Sequence, residues 1–280
     1  MKVLLFGGSG RLGTAIRRHW SVEIIAPNRV ECDPLNPTQV QDFIQKLQPD
    51  ILVNCIAYNQ VDAAEGEGKD EANLLNTILP TRLAHCAKSM DTRLIHFSTD
   101  YVFDGILDRP YQENDLPNPI NEYGRTKLAG EHAILSADPS FQIVRTSRLY
   151  GASAESTNAK KSFVDIVREL ATTQKEFLIN HGEVGSPTWV NDLACHVEEY
   201  VLGATSPRGI LHLTNESGVT WFEWATEIVH DLGLSSNVLP RDPSLNLRPA
   251  KRPPYSVLTS TKIPPMRSWK DALKEFLKNY

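Results

Sequence analysis

No apolar run in this 280-residue chain approaches the roughly 20 residues that a membrane-spanning helix needs, so no helical span is expected. The N-terminus offers one lysine and four apolar residues, Val3 to Phe6, before glycine, which is too short for the apolar core of a secretory signal. Cysteine is scarce. Cys32, Cys55, Cys86 and Cys195 form no CxxC pair and no zinc-ligand spacing with histidine. A disulfide scaffold and a structural zinc are therefore not expected, no metal site is predicted, and a reducing, cytoplasmic setting fits. Basic charge is not in excess: Lys and Arg number 29 against 34 Asp and Glu, a net charge of −5. That balance gives no reason to expect a nucleic-acid partner. Internal repeats and low-complexity tracts are also missing.

What is present is ordinary globular material, 41% hydrophobic and 22% charged, long enough for one large domain or two intimate ones. Short apolar runs alternate with helical patterns. Val3–Phe6, Val22–Ala26, Ile51–Ala57, Leu94–Ser98 and Phe141–Arg145 read as strands. Arg11–Trp20, Thr38–Leu47, Asp70–Ser89 and Asn121–Leu135 read as helices, the third interrupted at Pro80. Such alternation requires crossover connections and a parallel sheet covered on both faces, the α/β doubly wound class. After about residue 150 prolines become dense, and between Pro240 and Pro265 no long helix is expected. Helices are expected at Trp221–Leu232 and Trp269–Lys278. This half reads as a smaller lobe beside the sheet.

Gly7-Gly8-Ser9-Gly10-Arg11-Leu12-Gly13 follows the first strand and opens the first helix. Glycines there let the backbone turn tightly and approach a pyrophosphate, while the helix N-terminus supplies N–H groups and partial positive charge. The spacing is GxxGxxG, in the context that a dinucleotide loop requires. Which dinucleotide depends on the end of the second strand, where an acidic side chain would disfavour a 2′-phosphate. The chain has Ala26-Pro27-Asn28-Arg29 at that point. Arg29 suits a 2′-phosphate and favours NADPH, with NADH use possible because Glu31 and Asp33 are near; Asp33 could instead lie against the adenine.

Tyr123 and Lys127 are four residues apart, on one face of the predicted helix, and Tyr123 follows Thr99 by 24 residues. A phenol with a pKa near 10 is a poor acid at neutral pH. A lysine cation beside it would stabilise the phenolate and lower that value. The tyrosine could then protonate a carbonyl oxygen as hydride reaches carbon, with the Thr99 hydroxyl on the same oxygen.

Several stretches carry a family resemblance: Gly7–Gly13, Val53-Asn54-Cys55-Ile56-Ala57-Tyr58, Val61-Asp62-Ala63-Ala64-Glu65, Ser98-Thr99-Asp100-Tyr101-Val102-Phe103-Asp104-Gly105, Tyr123-Gly124-Arg125-Thr126-Lys127-Leu128-Ala129-Gly130-Glu131, Arg145-Thr146-Ser147, Gly185-Ser186-Pro187-Thr188 and Arg252-Pro253. In this order they resemble the extended short-chain dehydrogenase/reductases, and within them the dTDP-4-dehydrorhamnose reductase family. The resemblance implies a Rossmann domain at 1–147, rejoined by about 160–175 and 189–214. A substrate-binding lobe would then comprise about 148–159, 176–188 and 215–280. It implies a catalytic triad of Thr99, Tyr123 and Lys127. Cofactor contacts would come from Gly7, Ser9, Gly10, Arg11, Leu12, Gly13, Asn28, Arg29 and Asp33, from Cys55, Ile56, Ala57 and Tyr58 at a strand ending near Ala57, and from Tyr123 and Lys127. Substrate contacts would come from Val61, Thr99, Asp100, Tyr101, Arg148, Glu183 and Arg252. The implied reaction is NADPH-dependent reduction of the 4-keto group of a nucleotide-linked 6-deoxyhexulose, foremost dTDP-4-dehydro-L-rhamnose.

The chain departs from the family pattern in the lobe. Arg148 replaces a tryptophan that packs near the sugar, and could reach a phosphate or sugar hydroxyl. Gly182-Glu183 stands for Asp-Gln, and Tyr255 for an asparagine. Some relatives dimerise through a metal held by glutamates, one of them at the position of Ala15, so a monomer or weak homodimer is expected. Related dehydratases carry Asp-Glu after the threonine; here Asp100 precedes Tyr101, against dehydration. Epimerases must retain NAD tightly, which Arg29 does not favour. The alternatives kept are a reductase of another keto-sugar nucleotide, and a non-catalytic regulatory subunit resembling that of methionine adenosyltransferase.

Overall fold

The computed structural model describes residues 1–153, 155, 160–203, 205–245 and 247–278. The chain begins with β1 (Lys2–Phe6), α1 (Arg11–His19), β2 (Glu23–Ile25), α2 (Pro37–Leu47) and β3 (Ile51–Asn54). It continues through α3 (Lys69–Asn73), α4 (Leu79–Ser89), β4 (Arg93–Thr99), α5 (Glu122–Ala137) and β5 (Gln142–Thr146). Then come β6 (Leu149–Tyr150), α6 (Phe163–Thr173), β7 (Glu176–Asn180), β8 (Val184–Gly185), β9 (Thr188–Trp189), α7 (Val190–Tyr200) and β10 (Gly209–His212). The last elements are β11 (Val219–Thr220), α8 (Trp221–Asp231), β12 (Asn237–Arg241) and α9 (Trp269–Lys278).

Six strands form one parallel sheet in the order β10-β5-β4-β3-β1-β2. The period of two along each strand divides its apolar residues between two cores. Val3, Leu5, Ile51, Val53, Ile95 and Phe97 face the core shared with α1, α6 and α7. Leu4, Phe6, Leu52 and Leu94 face the core shared with α2, α4 and α5. Reversal of strand order between β1–β2 and β1–β3 is what makes the sheet doubly wound, and it puts a crevice at the carboxyl ends of these strands. The expected α/β doubly wound fold is the one observed.

The first core runs on without a break into Trp224, Ala225 and Ile228 of α8 and Leu273 and Phe276 of α9. The lobe is therefore packed on one sheet face, and its own strands are short pairs, β11 with β8, β12 with β7, and β6 with β9. Residues 154 and 156–159 of the expected 148–159 lobe segment lie outside the described residues.

Two local expectations need correction. The helix over 70–89 is not broken at Pro80. The irregularity is a π-helical turn at Leu74–Ile78, one residue before α4, in which the Leu79 amide reaches back to the Leu74 carbonyl. A proline ring clashes with the carbonyl four residues earlier, here Asn76, and a widened turn relieves that clash. The strand expected to end near Ala57 ends at Asn54. Asn54 Oδ1 accepts the Ile56 amide at 3.0 Å, and this side-chain turn leads the backbone off the sheet.

On the α5 side of β4 and β5 lies a buried ion pair. Arg145 donates to Glu131 from Nη2 at 2.6 Å and from Nε at 3.0 Å, and Ser98 donates its hydroxyl to the same carboxylate. Arg145 is 1% exposed and Glu131 0%. Removal of one partner leaves an uncompensated buried charge, a cost of about 3–5 kcal/mol. Glu131→Ala should lower unfolding stability by that amount in urea titration; a loss below about 1 kcal/mol would show that the pair does not hold α5 to the sheet.

Candidate active site

The crevice is lined first by the glycine loop. Gly7 has φ +83°, a left-handed conformation that glycine adopts without a side-chain clash. A Cβ on Gly13 would stand 2.1 Å from the Gly7 carbonyl oxygen, so only glycine lets α1 start this close to the loop. The N-cap of α1 is Gly10, with no side-chain cap and no acidic residue in the first turn. Glycine at this N-cap carries no capping side chain, and the start of α1 opens on a cavity of about 850 Å³.

Gly7, Ser9, Gly10, Arg11, Leu12, Gly13, Cys55, Ile56, Ala57, Tyr123 and Lys127 all line this cavity. The register of β1 with β2, Leu4 beside Ile25, sends Asn28, Arg29 and Asp33 out at the same end of the sheet, but they are not among its lining residues. Arg29 is exposed and ion-pairs with Asp33 at 3.6 Å, while Asn28 accepts the amides of Val30 and Glu31. Tyr58 is not a lining residue either. It is buried, with its amide donating to Asn76 Oδ1 at 2.9 Å.

α5 delivers Tyr123 and Lys127. Its N-cap Asn121 accepts the Gly124 amide at 2.8 Å and donates to the Lys251 carbonyl. A Cβ on Gly124 would stand 2.1 Å from the Tyr101 carbonyl oxygen, so a larger residue would push the helix off the end of β4. Burial pushes the Tyr123 phenol up to about 12, and its hydrogen bond with Thr99 pulls the other way. Lys127 makes no hydrogen bond to this phenol among the described contacts. The ammonium group is directed away, donating to the Phe97 carbonyl at 2.7 Å and lying 3.1 Å from His96 Nε2. Burial brings Lys127 down to about 8.

Asp100 is buried behind this face and accepts hydroxyls from Thr99 at 3.0 Å, Ser147 at 2.8 Å and Ser256 at 2.6 Å. Burial raises its pKa against those three hydrogen bonds. Its carboxylate joins the end of β4 to Ser147 and Ser256. Tyr101 packs edge-on to Tyr123 with centroids 5.8 Å apart.

A second cavity, about 720 Å³, is lined by Val61, Asp62, Glu65 and Arg252 among others. It shares Asn59, Gln60 and Lys160 with the first. Arg252 is held bidentate by Asp62, and Glu65 accepts the Glu122 amide at the start of α5. The Arg252 guanidinium keeps the Asp62 carboxyl below the usual carboxylate range. These carboxylates position their neighbours.

Arg148 lines the first cavity but does not present a free guanidinium to it. It stacks on Trp221, 4.1 Å from the ring centroid, and donates to the Val219 carbonyl at 2.7 Å and the Glu183 carbonyl at 2.9 Å. Two of its five N–H groups are thus committed to backbone carbonyls rather than to a phosphate or sugar. Glu183 in turn accepts from Asn180 Nδ2 at 2.7 Å and Trp221 Nε1 at 3.0 Å. Trp224 is buried in the core, and both it and Trp221 line the cavity. The sequence reading missed Asn59, Gln60, Lys160, Ser162 and Phe163 as lining residues. Asn59 and Gln60 directly follow a motif stretch; the others belong to no recognisable pattern.

A phenol and a buried amine lining a glycine-loop cavity, with the Thr99 hydroxyl bonded to that phenol from outside the lining, can deliver a proton beside a bound dinucleotide. The comparisons agree with that chemistry. The family model described as RmlD substrate binding domain matches residues 1–280. The chain is 34% identical to dTDP-4-dehydrorhamnose reductase of Mycolicibacterium smegmatis, over 98% of this chain and 84% of the relative. It is 33% identical to the spore coat polysaccharide biosynthesis protein SpsK of Bacillus subtilis, over 99% and 96%. The crystal structure of dTDP-4-dehydrorhamnose reductase from Bacillus anthracis in complex with NADP superposes with a TM-score of 0.92 at 31% identity, covering 100% of this chain and 99% of that one. Sequence, fold and crevice converge, and this protein belongs to the RmlD substrate binding domain family.

Proposed function

We propose that the chain is an NADPH-dependent reductase of the 4-keto group of a nucleotide-linked 6-deoxyhexulose, converting dTDP-4-dehydro-L-rhamnose to dTDP-L-rhamnose. The observation that carries this is Tyr123 and Lys127 on one face of α5, at the cavity formed by Gly7–Gly13, in a chain of this family. The steric cradle at Gly13 and the glycine N-cap of α1 suit a pyrophosphate. The nicotinamide, when bound, supplies hydride. Residues of the chain do the rest. Tyr123 gives its phenolic proton to the carbonyl oxygen, Thr99 orients that oxygen through its hydroxyl, and Lys127 holds the cofactor ribose and answers the phenolate charge.

Val61, Tyr101 and Arg252 are the proposed substrate-facing side chains, with Asp100, Arg148 and Glu183 shaping the wall behind them. The division into a Rossmann part and a lobe at 148–159, 176–188 and 215–280 is part of the same reading. Cytoplasmic placement is proposed as well, supported by four unpaired cysteines and by the lack, among the described residues, of a helix long and apolar enough to cross a membrane. Assembly is proposed as a monomer or weak homodimer, since buried Ala15 carries no carboxylate for a bridging metal. A second reading, reduction of a different keto-sugar nucleotide, is favoured by Arg148 at the cavity wall.

NADPH oxidation with dTDP-4-dehydro-L-rhamnose tests the main reading. Tyr123→Phe should lower kcat by about 10²–10⁴-fold and leave NADPH affinity near that of the parent. A Phe variant that turns over normally would remove Tyr123 as proton donor. No oxidation by the parent, despite NADPH binding, would move the assignment to another keto sugar or to a regulatory subunit. Arg29→Ala should weaken NADPH roughly tenfold and NADH little. Equal losses would take Arg29 out of the 2′-phosphate role.

A further inference from the structure

His96 is a fully buried histidine that the mechanism above does not use. It stands on β4 directly beside Asn54 of β3 in the parallel register. The polar atoms form one line: Ile56 N–H to Asn54 Oδ1 at 3.0 Å, Asn54 Nδ2 to His96 Nδ1 at 3.0 Å, His96 Nε2 to Lys127 Nζ at 3.1 Å, and Lys127 Nζ to the Phe97 carbonyl at 2.7 Å. Asn54, His96 and Lys127 are each at most 1% exposed, so these contacts are made without competition from bulk water.

The line has a direction. The Ile56 amide can only donate, so the atom of Asn54 that faces it is the oxygen, and the atom that faces His96 is the amide nitrogen. His96 Nδ1 must then accept. A neutral imidazole carries one N–H, which is left on Nε2, pointing at Lys127. Burial and the nearby lysine both hold His96 neutral. An N–H aimed at Nζ is favourable only when the nitrogen offers a lone pair. The reverse arrangement, with Lys127 donating to Nε2 and Nδ1–H donating to Asn54, would turn the asparagine NH₂ group against the Ile56 N–H.

We propose that His96 is a positioning residue that favours the neutral over the charged form of Lys127 in the enzyme without ligands, through an Nε2–H directed at the lysine nitrogen and a tautomer fixed by Asn54. This rests on the reductase reading only for its kinetic consequence. The other groups facing Lys127 do not reverse it. From α5 come Tyr123 and Glu131, the latter paired with Arg145 of β5, and after β3 comes Cys55, whose thiol is pushed up by burial. Glu131 and Cys55 favour the charged lysine, yet burial prevails. A lysine so held is charged below about pH 8 and neutral above it, and its charged form is the one that can answer a phenolate on Tyr123. The sign follows: reduction should fall as pH rises through this value, and removal of the opposing N–H should move the fall to higher pH.

The test has two parts. In the ligand-free enzyme labelled with ¹⁵N-histidine, the His96 resonances should show the Nε2–H tautomer; an Nδ1–H signal would overturn the proposal, whatever the enzyme reduces. The ¹³Cε signal of Lys127, identified by its loss in Lys127→Met, should titrate near pH 8, and in His96→Gln, where the amide oxygen can turn to the lysine, at least one pH unit higher. The basic limb of kcat/KM for NADPH-dependent reduction should move with it. An unshifted lysine titration in a folded His96→Gln would also overturn the proposal. A shifted titration without turnover of the keto sugar would uphold it and count against the reductase reading alone.

Discussion

The buried Glu131–Arg145 ion pair is the constraint on which the site depends, because it fixes the helix that carries Tyr123 and Lys127. α5 is a helix with a polar stripe facing the sheet: Lys127 and Glu131 are both turned inward, one turn apart. A helix that buries two charged groups docks only where the sheet has partners for them. β4 supplies them in alternation, His96 opposite Lys127 and Ser98 opposite Glu131, while Arg145 of β5 completes the charge balance. Register along α5 is thereby set by chemistry rather than by apolar shape. Tyr123 one turn before Lys127 then falls at the sheet end, beside Thr99.

The same economy of contacts ties the lobe to the sheet. The segment from Ala250 to Ser256 crosses the crevice end and is caught three times: Arg252 by Asp62, the Lys251 carbonyl by Asn121, and Ser256 by Asp100. Each catch lands on a residue adjoining the catalytic group. Asp62 opens the turn whose Glu65 holds the start of α5, Asn121 caps α5, and Asp100 follows Thr99. The second cavity therefore cannot widen at Arg252 without disturbing the element that presents Tyr123.

Much of this was legible in the sequence, and the reasons are physical. Buried parallel strands demand unbroken apolar runs, and a phosphate-approaching turn demands glycine, so both leave marks in the one-dimensional pattern. The tyrosine–lysine spacing was visible because helical geometry puts residues four apart on one face. Direction was not visible. Lys127 is one turn from Tyr123, yet its Nζ goes to His96 and the Phe97 carbonyl, a choice made by strands 30 residues upstream. Pro80 was a breaker by local rules, but a π turn at Leu74–Ile78 absorbs it. Lys160, at the junction of both cavities, lies 101 residues from the Asn59 carbonyl it contacts, and no local pattern encodes that meeting.

Arg148, Glu183 and Tyr255 looked like three separate departures from the family pattern, and in space they are one. Arg148 has a left-handed backbone, φ +45°, and its guanidinium donates to the Glu183 carbonyl. The Glu183 carboxylate accepts the indole N–H of Trp221, the ring on which Arg148 stacks. The next residue, Val184, bridges to Tyr255 and exchanges backbone hydrogen bonds with Pro254 and Ser256. An arginine with no carbonyl partners would be costly at this depth, and a stacking surface on Trp221 replaces the apolar area that a tryptophan at 148 would supply. The changes thus form a compensated patch of cavity wall, confined to the lobe. Thr99, Tyr123 and Lys127 lie outside that patch, on β4 and α5.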